Sequence, residues 1–386
     1  MTDNGTTGPS TPDVVIIGGG LVGWSAAYRL VRAGARVTVV DRADPGYATN
    51  AGAGIIAPGT SFRPLPAFYP FGSAAVAYYP ALIEELAEDG ETDTGYEVVG
   101  CLFIARNDDE AANLPETFRI MTERRDGGMG NIGDLSLVDS ATAQSLFPPL
   151  APISAAIYLT GAARVNGGPF RDSLRRAAEK RGAMTVTGTG TPVIDGDRVT
   201  GVQVDDIIIP TDAVIISGGT WSNELGDLLG VRLPIEPQRG QIIHLDLPTT
   251  DTGDWPIIQG YFDHYVLTFR PNRVVVGATR EIGSGYEVKM TAGGIHQVLS
   301  QGLGLAPGLA SATIVDIRIG LRPMSPDGLP IIGRAPGLAN VFLCTGHGPS
   351  GLQLGPISGA AVASMVHGTA PEIDLSAFTP DRFASA

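Results

Sequence analysis

The chain is poor in cysteine: only Cys101 and Cys344 occur among 386 residues. Each sits in an apolar, strand-like run and reads as a small buried hydrophobe. Two such thiols give no disulfide framework and no metal-ligand spacing, so no metal is expected. Positive charge is also short. Twenty-six Lys and Arg face 40 Asp and Glu, a net charge of −14. That balance argues against a nucleic-acid partner and against docking on anionic lipid by charge. No uncharged apolar run reaches ~18 residues, so no transmembrane helix is expected. Residues 1–11 are polar and lack both a basic start and an apolar segment. They read as a loose tail rather than a signal peptide, which makes the cytoplasm the expected compartment.

Glycine and proline are plentiful, 52 and 29 residues, within an ordinary globular balance of 43% hydrophobic and 17% charged residues. They fall between strongly apolar strands, so they mark turns and close backbone approaches rather than disorder. The length allows two or three domains.

The most informative stretch is Asp13–Arg42, DVVIIGGGLVGWSAAYRLVRAGARVTVVDR. A β-branched apolar run, Val14–Ile17, predicts a strand buried on both faces. A turn on Gly18-Gly19-Gly20 leads into a helix from about Leu21 to Ala33, stopped by Gly34. A second strand, Val37–Val40, ends at Asp41. In this G-x-G-x-x-G pattern Gly18 allows the turn, Gly20 admits a pyrophosphate to the backbone, and Gly23 allows close helix–strand packing. Free N–H groups at the helix start favour phosphate charge, and Asp41 can accept bonds from a ribose diol. The stretch predicts dinucleotide binding without choosing between FAD and NAD.

Further along, ATNAGAGIIAPG (48–59) leaves room for something flat against the main chain. A Pro/aromatic stretch, 62–72, reads as a constrained lid. Arg63 within it could reach an anionic substrate, though an exposed arginine is the simpler reading. Ser73–Glu88 predicts a helix broken at Pro80, Glu97–Ala105 a strand, 108–126 charged helix, and Asp139–Phe147 a short capped helix. A helix from Pro169 to Lys180 stops at Gly182. Strands at 184–187, 193–194, 199–204 and 206–209 read as one meander. The buried strand Ala213–Ser217 ends in SGGTWS, a second glycine turn. Strands at 242–247, 265–269 and 274–278 and a helix at 291–303 suggest a second, mostly antiparallel sheet. The last helix, from about Ser350, carries small residues expected to face the sheet.

These segments resemble a known family, the FAD-dependent amine and amino-acid oxidoreductases of the D-amino-acid dehydrogenase/glycine oxidase (DAO) type. The marks are the N-terminal glycine motif with Asp41, ATNAGAGII, SGGTWS (217–222), PQRGQ (237–241), VVVGATRE (274–281), GLRPMSPDGLPIIG (320–333) and TGHGPSG (345–351). The resemblance implies an α/β architecture: a Rossmann-like FAD-binding domain (12–72, 148–234 and 320–370) interleaved with a mostly antiparallel substrate-binding sheet domain (73–147 and 235–319). It implies non-covalent FAD, since Gly320 stands where some relatives carry a flavin-linking cysteine. The pyrophosphate would lie on Gly18, Gly20, Leu21, Val22 and Gly23, and the adenosine ribose on Asp41 beside Arg42. Ala48, Thr49, Gly52, Ala53, Gly54 and Ile55 would line the flavin, and Val193 would touch the adenine side. Ser217, Gly218 and Trp221 would close over the cofactor, with Gly346, Pro349, Ser350, Gly351 and Leu352 facing the flavin pyrimidine.

The resemblance also implies chemistry: hydride transfer from an amine C–H to flavin N5, giving an imine that hydrolyses. Arg322 would grip a substrate carboxylate, the alternative being an ion pair with Asp316 or Asp327. Tyr265, just before a strand, would help; Tyr261 and His264 are further candidates. His347 could be a base or could only shape its loop. Glycine oxidases carry a second arginine where this chain has Pro349. The expected substrate is a D-amino acid, glycine or similar small amine. Alternatives are an N-methyl or cyclic secondary amine, or a role as the FAD subunit of an electron-transfer complex. The acceptor, O₂ or a quinone or other electron carrier, stays open, as do homo-oligomerisation and peripheral membrane association.

Overall fold

In the computed structural model, which describes residues 13–383, the apolar run Asp13–Ile17 is the central strand of a six-stranded sheet. The expected tail, 1–11, lies outside the described residues. Side chains alternate across a strand. Val14 and Ile16 therefore enter a core with Trp24 and Tyr28, while Val15 and Ile17 enter another with Val202 and Leu225. Both faces are covered, which explains the absence of polar residues from Val14–Ile17. Its neighbours are Arg36–Asp41 and Ala213–Ile216, both parallel to it. Val341–Thr345 follows in parallel and Ile331–Arg334 closes that edge antiparallel.

The helix Leu21–Arg32 packs against the last helix, Gly351–Val366. A Cβ on Gly359 would come 2.6 Å from the Ala26 nitrogen. The small residues of the last helix thus admit the first helix, rather than only facing the sheet as expected.

The second sheet has eight strands in the order Thr313–Met324, Glu236–Asp246, Arg273–Gly277, Phe262–Phe269, Ile257–Gly260, Cys101–Ala105, Ala155–Leu159 and Leu135–Val138. It is antiparallel except where Ile257–Gly260 runs parallel to Cys101–Ala105. Cys101 and Cys344 are free and buried.

Several expectations need correcting. Pro80 does not break its helix. Phe68–Glu88 is continuous, because Val76, Tyr79, Leu82 and Leu86 bury its inner side, and packing outweighs the ~3 kcal/mol cost of an internal proline. The same helix belongs to the core of Leu21–Arg32, so no structural break falls at 72/73. The strand Ala155–Leu159 pairs in the eight-stranded sheet, beyond the boundary placed at 148. Thr313–Met324 runs through the boundary placed at 320. Met184–Thr187 leaves the expected meander and pairs in parallel with Arg36–Asp41. The meander itself is Thr191–Asp195, Arg198–Val204 and Ile207–Pro210. Glu97–Ala105 is two strands separated at Gly100, whose φ is +78°.

Among the described residues, no helix is long and apolar enough to cross a membrane. Among them too, no group of three His, Cys, Asp or Glu is placed to hold a metal ion.

Candidate active site

A cavity of ≈ 400 Å³ runs from the glycine turn after the first strand to the face of the eight-stranded sheet. At one end the chain turns on Gly18, with φ +115°. A Cβ on Gly23 would overlap the Gly18 carbonyl oxygen and lie 2.8 Å from Ser217 Oγ. Glycine there lets the helix start sit directly on the turn. Ser217 Oγ donates to the Gly18 carbonyl at 2.9 Å, so the second glycine turn supports the first. Asp41 accepts from the N–H groups of Gly19 and Ala43. Thr49 Oγ1 accepts from the Leu21 N–H at 3.1 Å. A Cβ on Gly20 would meet only Thr49 Oγ1, at 3.5 Å, so its backbone stays open to the cavity.

At the other end, the long strand Thr313–Met324 delivers Arg322 to the cavity wall. Its Nη1 donates to Thr279 O at 3.1 Å and Gln238 Oε1 at 3.3 Å. No carboxylate pairs with it among the described residues. Asp316 binds Arg318 and Asp327 binds Arg382, both at 2.7 Å, so neither structural ion pair considered above forms. A Cβ on Gly240 would come 2.5 Å from the Arg322 guanidinium. Gly240→Ala is therefore expected to displace that fork and raise KM for carboxylate substrates ~10- to 100-fold with the fold intact. Steady-state kinetics and a thermal melt check this.

Tyr265 lies inside the strand Phe262–Phe269 rather than before it. Its hydroxyl sits over Gly277 and makes no hydrogen bond among the described residues. Burial raises its pKa, while the charges of Arg322 and Arg280 work in the opposite direction. His264 reaches the cavity and stacks on Phe262, ring centres 4.4 Å apart. Burial and the Arg106 charge lower its pKa.

His347 lines the cavity, and its Nε2 lies 2.9 Å from Ser358 Oγ, inside the last helix. The Ser358 hydroxyl donates to Leu354 O at 2.8 Å. Its single proton is thus committed, so His347 Nε2 carries the shared one. Burial pushes His347 down to about 4. The ring is neutral at pH 7 and ties its loop to the helix, which favours the shaping role. His244, buried in the second sheet, is also lowered to about 4 by burial. Both bind protons more readily unfolded, at about 6.5, than folded. Their contribution to stability is full above pH ~6.5 and is lost as pH falls through about 4. Thermal melts should show Tm falling across that window, and less steeply in His347→Gln.

Comparison with known proteins agrees with this geometry. The family described as FAD dependent oxidoreductase (DAO) matches residues 13–365. The chain belongs to the DAO family. It is an enzyme, an FAD-dependent oxidoreductase. The glycine oxidase of Pseudomonas putida is 32% identical, over 95% of this chain and 98% of the relative. The crystal structure of iminodiacetate oxidase from Chelativorans sp. BNC1 superposes with a TM-score of 0.91 at 39% identity, covering 95% of this chain and 98% of that one. Glycine oxidase from Geobacillus kaustophilus gives 0.85 at 26% identity, covering 96% and 98%.

The DAO cofactor, FAD, is held without a covalent bond, and the residues present fit it. The glycine turn leaves an open backbone, and Asp41 closes its strand at the cavity edge. Thr220 Oγ1 and Gln353 Nε2 line the same cavity and are buried polar atoms without a partner among the described residues. Gly18, Gly20, Leu21, Val22, Asp41 and Arg42 all line it. So do Ala48, Thr49, Gly52–Ile55, Ser217, Gly218, Trp221 and Pro349–Leu352. These residues would hold FAD.

Four expected site residues do not line the cavity. Val193 lies in the three-stranded meander, and Gly188–Gly190 line that end instead. Gly188 N donates to Asp41 O at 3.0 Å, which brings this glycine pair alongside Asp41. Tyr261 turns away: its hydroxyl lies 2.6 Å from Thr117 Oγ1 and its ring packs edge-on to Phe103. Gly23 packs beneath the turn, and Gly346, with φ +72°, shapes the loop before His347.

Arg63, read as exposed, is partly buried on the cavity wall, its Nη1 2.6 Å from Ser350 Oγ. Arg280 and Asp263 line the cavity and were missed. The Gly188-x-Gly190 pair after a strand was a usable signal. Arg280 lies within VVVGATRE, but nothing in its spacing marks it.

Proposed function

We propose that this enzyme oxidises the C–N bond of a small amine bearing a carboxylate, of the glycine or N-substituted glycine kind. Arg322 carries the reading: a partly buried guanidinium on the cavity wall with hydrogen-bond acceptors but, among the described residues, no carboxylate partner. A cation in that setting calls for an anion, and its planar fork suits a carboxylate. The Tyr265 hydroxyl, free of other bonds, is a second donor to it. FAD supplies the acceptor of two electrons and of hydride from the carbon beside nitrogen. The protein's part is to orient the substrate so that this carbon faces the flavin. His347 is neutral and bonded inward, so it is no base in this reading, and the substrate reacts with its amine unprotonated. The imine product hydrolyses to an oxo acid and an amine or ammonia. The glycine oxidase and iminodiacetate oxidase relatives support this substrate class and O₂ as acceptor. Two free cysteines fit a reducing compartment, and we place the enzyme in the cytoplasm.

The test is anaerobic mixing of the holoenzyme with glycine, sarcosine, iminodiacetate, D-alanine and L-proline while following the visible flavin band. Bleaching by carboxylate-bearing amines, reversed by air, is the expected result. No bleaching by any of them overturns the reading. Bleaching that air does not reverse replaces O₂ with another acceptor.

A further inference from the structure

Arg322 is not the only guanidinium at the substrate end of the cavity: Arg63 and Arg280 line it as well. They come from three distant segments. Arg63 follows the short strand Ile55–Ile56, and Arg280 follows Arg273–Gly277. The one carboxylate lining that end is Asp263, 3.5 Å from Arg280 and with its side chain 85% exposed. The other acids on the cavity wall, Asp41, Asp44 and Glu224, stand at the opposite end, where Arg42 pairs with Asp44 and Glu224. Arg63 has a hydroxyl partner, Ser350, and packs over the Phe68 ring at 5.2 Å, but pairs with no carboxylate among the described residues.

The two most deeply buried arginines, both outside the cavity, are each paired with a carboxylate. Arg164 binds Glu97 and Arg239 binds Glu281. Three cations against one anion leave an excess of +2 at the substrate end. One substrate carboxylate leaves half of that excess uncompensated. Burial and the like charges of Arg280 and Arg322 all press on the Arg63 guanidinium, and an added anion relieves both.

We infer that the substrate is an amino dicarboxylate, with one carboxylate on Arg322 and a second on Arg63 and Arg280. This rests on the function proposed above and narrows it. Two carboxylates match the +2 excess. Arg63 reaches inward from the loop while Arg280, its side chain 42% exposed, closes the rim. Together they read the far end of an extended substrate whose near end Arg322 holds.

The experiment compares kcat/KM for iminodiacetate with that for sarcosine, which lacks the second carboxylate, in the holoenzyme and in Arg63→Gln, Arg280→Gln and the double variant. We expect the wild type to prefer iminodiacetate, and the preference to shrink roughly 10- to 100-fold in the variants. A binding measurement without turnover runs beside it. Thiodiacetate, with sulfur in place of the N–H, and (methylthio)acetate are titrated against the oxidised flavin spectrum. Thiodiacetate should bind more tightly to the wild type, and the double variant should lose that difference. A wild type that does not prefer the dicarboxylates overturns the inference. So does an equal loss on both substrates, which would assign Arg63 to the flavin. If no carboxylate-bearing amine reduces the flavin, the proposed function fails and this inference with it. If sarcosine and glycine reduce it as well as iminodiacetate does, only this inference fails.

Discussion

Arg322→Gln is expected to lower kcat/KM for carboxylate-bearing amines roughly 10²- to 10³-fold while FAD stays bound. The size follows from removing one partner of an enclosed, hydrogen-bonded charge pair, which costs ~2–5 kcal/mol. The loss should appear in kcat as well as KM. Without its anchor the carbon beside nitrogen is no longer aimed, and small misplacements are expensive. Arg322→Lys keeps the charge but not the planar fork, so it should fall between the two. An amine without a carboxylate should lose far less. The ratio of flavin to protein absorbance reports cofactor retention; loss of FAD from Arg322→Gln would make the residue structural. Stability should move the other way. Arg322 has no carboxylate partner among the described residues, so removing its charge relieves a desolvation cost. The ligand-free variant is expected to melt no lower than the wild type.

Gly23→Ala has the second large effect, at the other end of the cavity. Its Cβ would overlap the Gly18 carbonyl oxygen and crowd Ser217 Oγ. The first of these is backbone and cannot rotate away. The helix must lift off the turn, and its N–H groups then no longer converge on one site. Overpacking of this kind costs ~1–3 kcal/mol. The larger consequence is loss of the phosphate cradle, so FAD affinity should fall ~10²-fold or more and the protein should purify colourless. Gly34→Ala is the control. Gly34 has φ +90° but open space around it. Substitution there strains the backbone by ~1 kcal/mol and should lower Tm slightly with FAD retained. A colourless Gly34→Ala protein would mean that FAD loss reports general instability, not the cradle.

The parts of the site that were legible are those built within one stretch. Gly18, Gly20, Gly23 and Asp41 lie within a single strand–turn–helix–strand unit, where local geometry dictates residue type. The caps behave likewise. Asp139 accepts from Thr142 N, and Thr291 from Gly294 N, at helix starts read to within a few residues. Legibility failed where packing outranked local preference, as at Pro80, and where strand pairing joined remote segments. Met184–Thr187 reads like its meander neighbours, but its partner is Arg36–Asp41. No spacing encodes that.

The opening thirty residues alone thus pointed to a dinucleotide on this glycine turn. The later segments, in order, pointed to FAD and to Arg322. The first rests on short-range chemistry, a turn that only glycine allows; FAD and Arg322 rest on the resemblance of those ordered segments to the family. The convergence of Arg63, Arg280 and Arg322 on one cavity was decided by tertiary structure, as were the swap of Val193 for Gly188–Gly190 and the turning away of Tyr261. Arg280 and Arg322 meet because Arg273–Gly277 and Thr313–Met324 both pair with Glu236–Asp246, and Arg63 joins them from the loop after Ile55–Ile56. The sign and number of charges in a cleft depend on which side chains share it, and linear order does not carry that information.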